Sequence, residues 1–290
     1  MIAFATSSSF PTLTEDDRAV VEPLAHCGFQ VQPAVWNHPG YRWQAYEGVI
    51  IRSCWDYHLK LSQYLEWIAF LEEKRVRVWN VPSILRWNST KTYLRELERK
   101  GIPIIPTLWP EDSGSLFNML CEVGWTHAVI KPRVSATAHR TCVTSIDNIA
   151  EGQALLDELL SGPGAMVQKF IPAIVSQGEW SLIFFAGSFS HAVLKTPKDG
   201  DFRVQHDFGG SERPAVPPPS VIEAASRAIA EVVPQPLYAR ADGVESDSHF
   251  LLMELELIEP ALFLSSHSAA ATSFAKAIAS AISGQDRSVQ

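Results

Sequence analysis

The chain is short of charge, of cysteine and of unbroken apolar sequence. Only 19% of its 290 residues are Asp, Glu, Lys or Arg, and 32 acids against 24 bases leave a formal net charge of −8. That balance excludes a general nucleic-acid binder or a polybasic membrane surface, while a local basic pocket stays open. The four cysteines, Cys27, Cys54, Cys121 and Cys142, form no Cys-x-x-Cys pair and have no histidine at zinc-ligand spacing. Neither a disulfide framework nor a structural zinc site is expected, and scattered thiols suit a reducing compartment. The start, Met1 to Thr6, has no basic region and too short an apolar run for a signal peptide. The most apolar tail, Ala261 to Ile282, is interrupted by Ser265, Ser266, His267 and Lys276, which excludes a membrane span there. A soluble cytoplasmic protein is expected, with neither nucleic acid nor membrane as partner. What is present is 46% hydrophobic and 10% aromatic sequence, enough to fill a large core and to exclude disorder.

The first stretch alternates between strand and helix signals. Ile2–Ala5, Phe29–Val35 and Gly48–Ile51 read as strands, and Glu15–Cys27 reads as a helix stopped by Gly28. Leu61, Tyr64, Leu65, Ile68 and Leu71 recur at helical spacing. This alternation implies a parallel sheet covered by helices, with ligands gathering beyond the carboxyl ends of the strands. Arg52 to His58 lies in that position. Ser89 is a candidate N-cap for a helix Thr90–Arg99, followed by a helix at Leu116–Glu122, a strand Ala128–Pro132 and a helix from an Asp147 cap to Leu160. The remainder changes texture: strands at Met166–Ile171, Trp180–Phe185, Phe189–Leu194, Leu237–Asp242 and Phe250–Leu257 imply antiparallel hairpins, with helices at Val221–Val233 and Ser268–Ile282. The Ala-rich last helix suits a subunit interface as well as a core, so a homo-oligomer stays open.

Two local patterns carry chemistry. In Met253 to Pro260, side chains two apart share a strand face, so Glu254 and Glu256 project together and Leu255 and Leu257 oppose them. An ordinary half-exposed strand has the same alternation. However, a hairpin with the preceding strand brings Asp242 opposite Glu254, and three clustered carboxylates repel unless cations bind them. Hard oxygen donors suit Mg²⁺ or Mn²⁺, above all where phosphate completes the ligand set. The second pattern is two lysines on apolar elements. Lys131 ends a buried strand and precedes the small, polar run Ser135-Ala136-Thr137-Ala138, which can fold over a phosphate. Lys91 stands early in a helix, where a cation opposes the dipole. A solvated surface role is the plain alternative for both.

Taken in order, these pieces resemble the ATP-grasp carboxylate–amine ligases. The resemblance runs from about Ile50 to Leu264. It rests on Ile51 to Tyr57, Arg86 to Leu94, Ile130-Lys131-Pro132, Val167 to Pro172, Gly178-Glu179-Trp180-Ser181, Phe202-Arg203 with Gly209-Gly210, and the acidic strand ending at Pro260. The motif order is similar to prokaryotic glutathione synthetases and, most closely, to the cyclo-ligases that close O-ureido-serine. The resemblance implies an α/β and α+β chain. Its parts would be an N-terminal parallel-sheet domain (1–88), a central lid-like domain (89–168) and a C-terminal antiparallel-sheet ATP-binding domain (169–290). It implies that Lys91 and Lys131 hold the ATP phosphates under a loop containing Ser135. Gln168, Lys169, Phe170 and Ile171 would read adenine, Glu179 the nucleoside. Asp242, Glu254 and Glu256 would hold two Mg²⁺ ions, Arg203 would steady an acyl phosphate, and Arg52, Trp55 and Asp56 would form the amino-acid pocket. Two departures stand out: the phosphate loop lacks glycine, and Glu256 replaces the asparagine of glutathione synthetase. The implied reaction activates a small amino-acid or peptide carboxylate with ATP and joins it to an amine. An ATP-binding sensor without ligase activity and a small-metabolite kinase are the alternatives.

Overall fold

The computed structural model describes residues 1–198, 200–204 and 208–285. The first 80 residues build a parallel sheet from β1 (Ile2–Thr6), β2 (Val31–Val35), β3 (Gly48–Ile51) and β4 (Val78–Trp79), in the order β2-β1-β3-β4. β1 and β3 are buried along their whole length, as their unbroken apolar sequence requires of strands covered on both faces. The expected helix over Glu15–Cys27 is two short ones, α1 (Glu15–Arg18) and α2 (Val21–His26). The break places Pro23 in the first turn of α2, where its missing N–H costs no helical hydrogen bond. A third helix, α3 (Leu61–Glu73), buries Tyr64, Trp67, Ile68 and Leu71 against the sheet.

Two helices follow, α4 (Pro82–Asn88) and α5 (Tyr93–Arg99). Ser89 ends α4 rather than capping α5: its hydroxyl donates to the Arg86 carbonyl at 2.7 Å. Lys91 consequently sits in the turn between the helices, not inside one. The second sheet is antiparallel. It comprises β5 (Thr107–Leu108), β6 (His127–Pro132), β7 (Cys142–Ser145) and β8 (Ala165–Lys169), ordered β5-β8-β6-β7. It is covered by α6 (Leu116–Glu122) and α7 (Ala150–Leu160), whose N-cap is Ile149 and not Asp147.

After a short helix α8 (Ala173–Ser176), a five-stranded antiparallel sheet forms. Its strands are β9 (Glu179–Phe185), β10 (Ser188–Thr196), β11 (Ser211–Pro214), β12 (Tyr238–Ser246) and β13 (His249–Glu256), ordered β11-β10-β9-β12-β13. One face carries α9 (Pro219–Ala230) together with α4 and α5, through Ile84, Tyr93, Leu94, Leu182, Phe184, Ala225 and Leu255. The last helix, α10 (Ala270–Gln285), returns to the first sheet and packs Phe274 and Ile278 with Ile2, Phe4 and Leu24. β1 and α10 therefore share one core. No helix among the described residues is long and apolar enough to cross a membrane.

Candidate active site

A cavity of about 700 Å³ opens between the second and third sheets and beneath the carboxyl ends of β1 and β3. The sequence pattern explains what faces it. Asp242 on β12 pairs with Glu254 on β13, and Arg240 pairs with Glu256 two positions along. A bulge falls next to these pairs: Gly243 opposes Leu252, leaving Met253 as the extra residue. The bulge shifts the alternation, so that buried Leu252, Leu255 and Leu257 all face the core while Glu254 and Glu256 line the cavity. Gly243 is required there, because a Cβ would stand 2.4 Å from the Phe250 ring and 2.5 Å from the Leu251 carbonyl.

Each of these acids meets a base. Arg240 donates to both oxygens of Asp242 at 2.9–3.0 Å, and also to Glu256. Lys195 lies 3.2 Å from Glu179 and 3.5 Å from Asp242, and the Ser181 hydroxyl donates to Asp242. Lys91 reaches across from the α4–α5 turn to Glu254 and to the Ser135 carbonyl at 3.3 Å. Burial would raise the Asp242 and Glu254 carboxyls, but the bases beside each outweigh it and hold both below the usual range. Glu256 differs: burial, reinforced by Asp242 and Glu254 and only partly offset by Arg240, pushes it up to about 7. Lys131 stands on the inner strand β6, 8% exposed, and burial lowers it to about 8.

The remaining expected residues divide. Ser135, Gln168, Lys169, Glu179 and Arg203 line the cavity, alongside the apolar residues Ile105, Val129, Ile174 and Val204. Phe170 and Ile171 do not line it. The Phe170 N–H is spent on the His127 carbonyl at 3.2 Å, and Ile171 is buried with Ile105 and Val244. Arg203 is held by Asp201 at 2.7 Å and lies over the Phe208 ring at 3.8 Å. The glycine-free loop after Lys131 bends through left-handed conformations at Thr137 (φ 50°), Ala138 (φ 52°) and Arg140 (φ 55°), a region that glycine would enter without strain.

Arg52, Trp55 and Asp56, expected together in an amino-acid pocket, are separated. Arg52 is 2% exposed and lies outside the cavity, bonded to Asp17 at 2.8 Å and to the Pro260 carbonyl at 2.7 Å. Asp56 also faces away, taking Trp36 Nε1 at 2.8 Å and Lys60 at 2.8 Å. Trp55 lines the cavity, its indole N–H donating to the Glu259 carbonyl at 2.9 Å. Arg240, Lys195 and Glu259 are cavity residues that the sequence reading missed, as is the role of buried Ser181 in holding Asp242. The first had a signal: Arg240 and Asp242 are two apart on one strand and so share a face.

Asp242, Glu254 and Glu256 fit a hard divalent cation by donor chemistry, three carboxylates on one cavity wall. Among the described residues no three acidic, histidine or cysteine side chains converge as a ready metal site, and Arg240 and Lys91 occupy oxygens of these three acids.

Known proteins share this fold. A family model for the N-terminal domain of D-cycloserine synthetase DcsG matches residues 2–80. The cycloserine biosynthesis protein DcsG of Streptomyces lavendulae is 25% identical over 298 residues, covering 96% of this chain and 98% of that protein. The crystal structure of D-cycloserine synthetase DcsG superposes with a TM-score of 0.88 at 23% identity, covering 97% of this chain and 99% of that one. The ATP-grasp ligase PsnB, solved with a minimal precursor, superposes at 0.67 with 18% identity over 98% of each chain. The chain has the fold of the ATP-grasp ligases and resembles D-cycloserine synthetase DcsG along nearly its whole length.

Proposed function

We propose that this enzyme uses ATP to activate the carboxylate of a small amino acid or peptide as an acyl phosphate and joins it to an amine. The observation that carries the reading is the opposition, across one cavity, of Lys91 and Lys131 to the carboxylates Asp242, Glu254 and Glu256. Such a pairing neutralises a triphosphate from one side and offers cation ligands on the other. The chain would divide into 1–88, 89–168 and 169–290, with ATP held between the second and third parts. Adenine enters among Ile105, Val129, Ile174 and Val204, beside Gln168 and Lys169. Lys91 leaves Glu254 for phosphate oxygens, and Ser135 and its loop fold over them. Asp242, Glu254 and Glu256 would hold two Mg²⁺ ions, which would supply charge neutralisation to the nucleotide phosphates. Mn²⁺ suits the same donors.

In the first step a substrate carboxylate oxygen bonds to the γ-phosphorus as its bond to the bridging oxygen breaks, releasing ADP. In the second, the amine nitrogen bonds to the acyl carbon, loses a proton, and inorganic phosphate departs. Arg240, fixed between Asp242 and Glu256, aims its guanidinium at the negative charge both steps develop, and Arg203 closes the rim. Catalysis is positioning and charge neutralisation, without an enzyme-bound covalent intermediate. Cys54 has no part in it, since its thiol is buried and pushed well above the normal range by burial. The relatives' names make an amino-acid-like substrate the first choice, ring closure included, and four free cysteines fit a reducing cytoplasm. The test is ADP release with amino acids singly and in pairs, followed by product mass. Lys131→Ala should abolish it and Cys54→Ser should not. Phosphate recovered on the product, instead of free, would replace ligation by a kinase reaction.

A further inference from the structure

Six carboxylates line the cavity. Glu212 is exposed, and Glu179, Asp242, Glu254 and Glu256 each meet Lys195, Arg240 or Lys91. Glu259 is unlike them: it is half-buried, and among the described residues its side chain has neither a hydrogen bond nor an ion pair. Its backbone, in contrast, is firmly held. The carbonyls of Ile258, Glu259 and Pro260 accept in turn from Tyr238 Oη (3.0 Å), Trp55 Nε1 (2.9 Å) and Arg52 Nη2 (2.7 Å). Buried donors thus fix the segment, and the Glu259 carboxylate is delivered to the cavity wall shared with Phe10, Trp55 and Tyr57. Burial and the nearby Glu256 charge oppose its ionisation, so packing alone would favour a neutral residue here. An unpartnered carboxylate in a cavity that aromatic residues also line suits a cation that carries N–H donors.

Resting on the ligase reading of the same cavity, we propose that Glu259 receives the ammonium group of the amino-acid substrate. The enzyme would thereby select acids with a free amine over N-acylated or hydroxy counterparts. Arg52 is then a positioning residue, acting through the Pro260 carbonyl, and not a substrate ligand.

The full chain with Mg·ATP is assayed for ADP release against D- and L-amino acids, singly and in pairs, and against their N-acetyl and 2-hydroxy counterparts. Free-amine acids should stimulate release. Glu259→Gln should raise their KM about 10- to 100-fold with a smaller change in kcat. Glu259→Asp should recover part of that loss, and affinity for a non-hydrolysable ATP analogue should be unchanged. An unaltered KM in Glu259→Gln, or an equal rise for the 2-hydroxy acid, overturns the proposal. Should the variants fail to fold, the wild type alone decides, since equal use of amino and 2-hydroxy acids overturns it too. Stimulation without ammonium preference sinks this inference and spares the ligase reading; no stimulation by any acid sinks both.

Discussion

Lys131 shows how a single side chain can be poorly placed for stability and well placed for a ligand. Burial lowers it to about 8, below the ordinary lysine value, because its ammonium has left water with only partial compensation from Glu254. A polyphosphate restores that compensation, so nucleotide binding draws Lys131 back to its charged form. Above pH 8 binding must take up a proton, and ATP affinity should therefore fall as pH rises through that value. Titration calorimetry in buffers of different ionisation enthalpy would register the uptake, and its absence would remove Lys131 from the phosphate site. The same reasoning gives a stability result of opposite sign to the usual loss. Without nucleotide, at pH 7, Lys131→Met should be more stable by about 1 kcal/mol or more and unfold at higher temperature, while binding ATP far more weakly.

Among the elements, β13 is the one on which the site depends, and it is an edge strand. Its outer backbone groups are closed by side chains from elsewhere in the chain. Asn88 donates to the Leu255 carbonyl at 2.7 Å and accepts from the Leu257 N–H at 2.9 Å, and the Tyr93 hydroxyl takes the Leu255 N–H at 2.9 Å. Asn80 does the same next to it, donating to the Leu257 and Tyr238 carbonyls at 2.8 and 2.9 Å. These amides hold the frame that aims Glu254 and Glu256 into the cavity. Asn88→Ala leaves two buried backbone groups unpaired, which costs about 2–4 kcal/mol. Chemical denaturation should show that loss, together with a drop in substrate-stimulated ADP release larger than the change in ATP affinity. An Asn88→Ala protein of wild-type stability would refute this role.

At the scale of the molecule, one buried arginine, ion-paired within the first part of the chain, also holds the last part. Arg52, at the carboxyl end of β3, meets Asp17 in α1 and the Pro260 carbonyl after β13, and its guanidinium lies 5.2 Å from the Tyr238 ring centre and 5.6 Å from that of Phe274. Removing one partner strands the other charge in the core, at a cost of about 3–5 kcal/mol. Arg52→Met and Asp17→Leu should each destabilise by that amount, and the double variant by clearly less than their sum. Additive losses measured in denaturant would mean that the two residues act separately.

Much of this protein follows from local sequence. Strict alternation at Glu254–Leu257 set the acidic face, the apolar runs Ile2–Ala5 and Gly48–Ile51 set a doubly covered parallel sheet, and Lys131 was marked by standing at the end of a buried strand. Each is a property of neighbours within a few residues, where periodicity alone decides which way a side chain points. Tertiary structure decided the rest, because it concerns partners far apart in the chain. It turned Arg52 from a substrate ligand into a buried clamp on Asp17, 35 residues away, and on Pro260, 208 residues away. The bulge at Met253, the meeting of Lys195 with Asp242 and of Arg240 with Glu256, and the lack of a side-chain partner for Glu259 among the described residues were hidden. Sequence spacing reports which face a residue is on; only packing reports what stands opposite, and charge chemistry depends on the second.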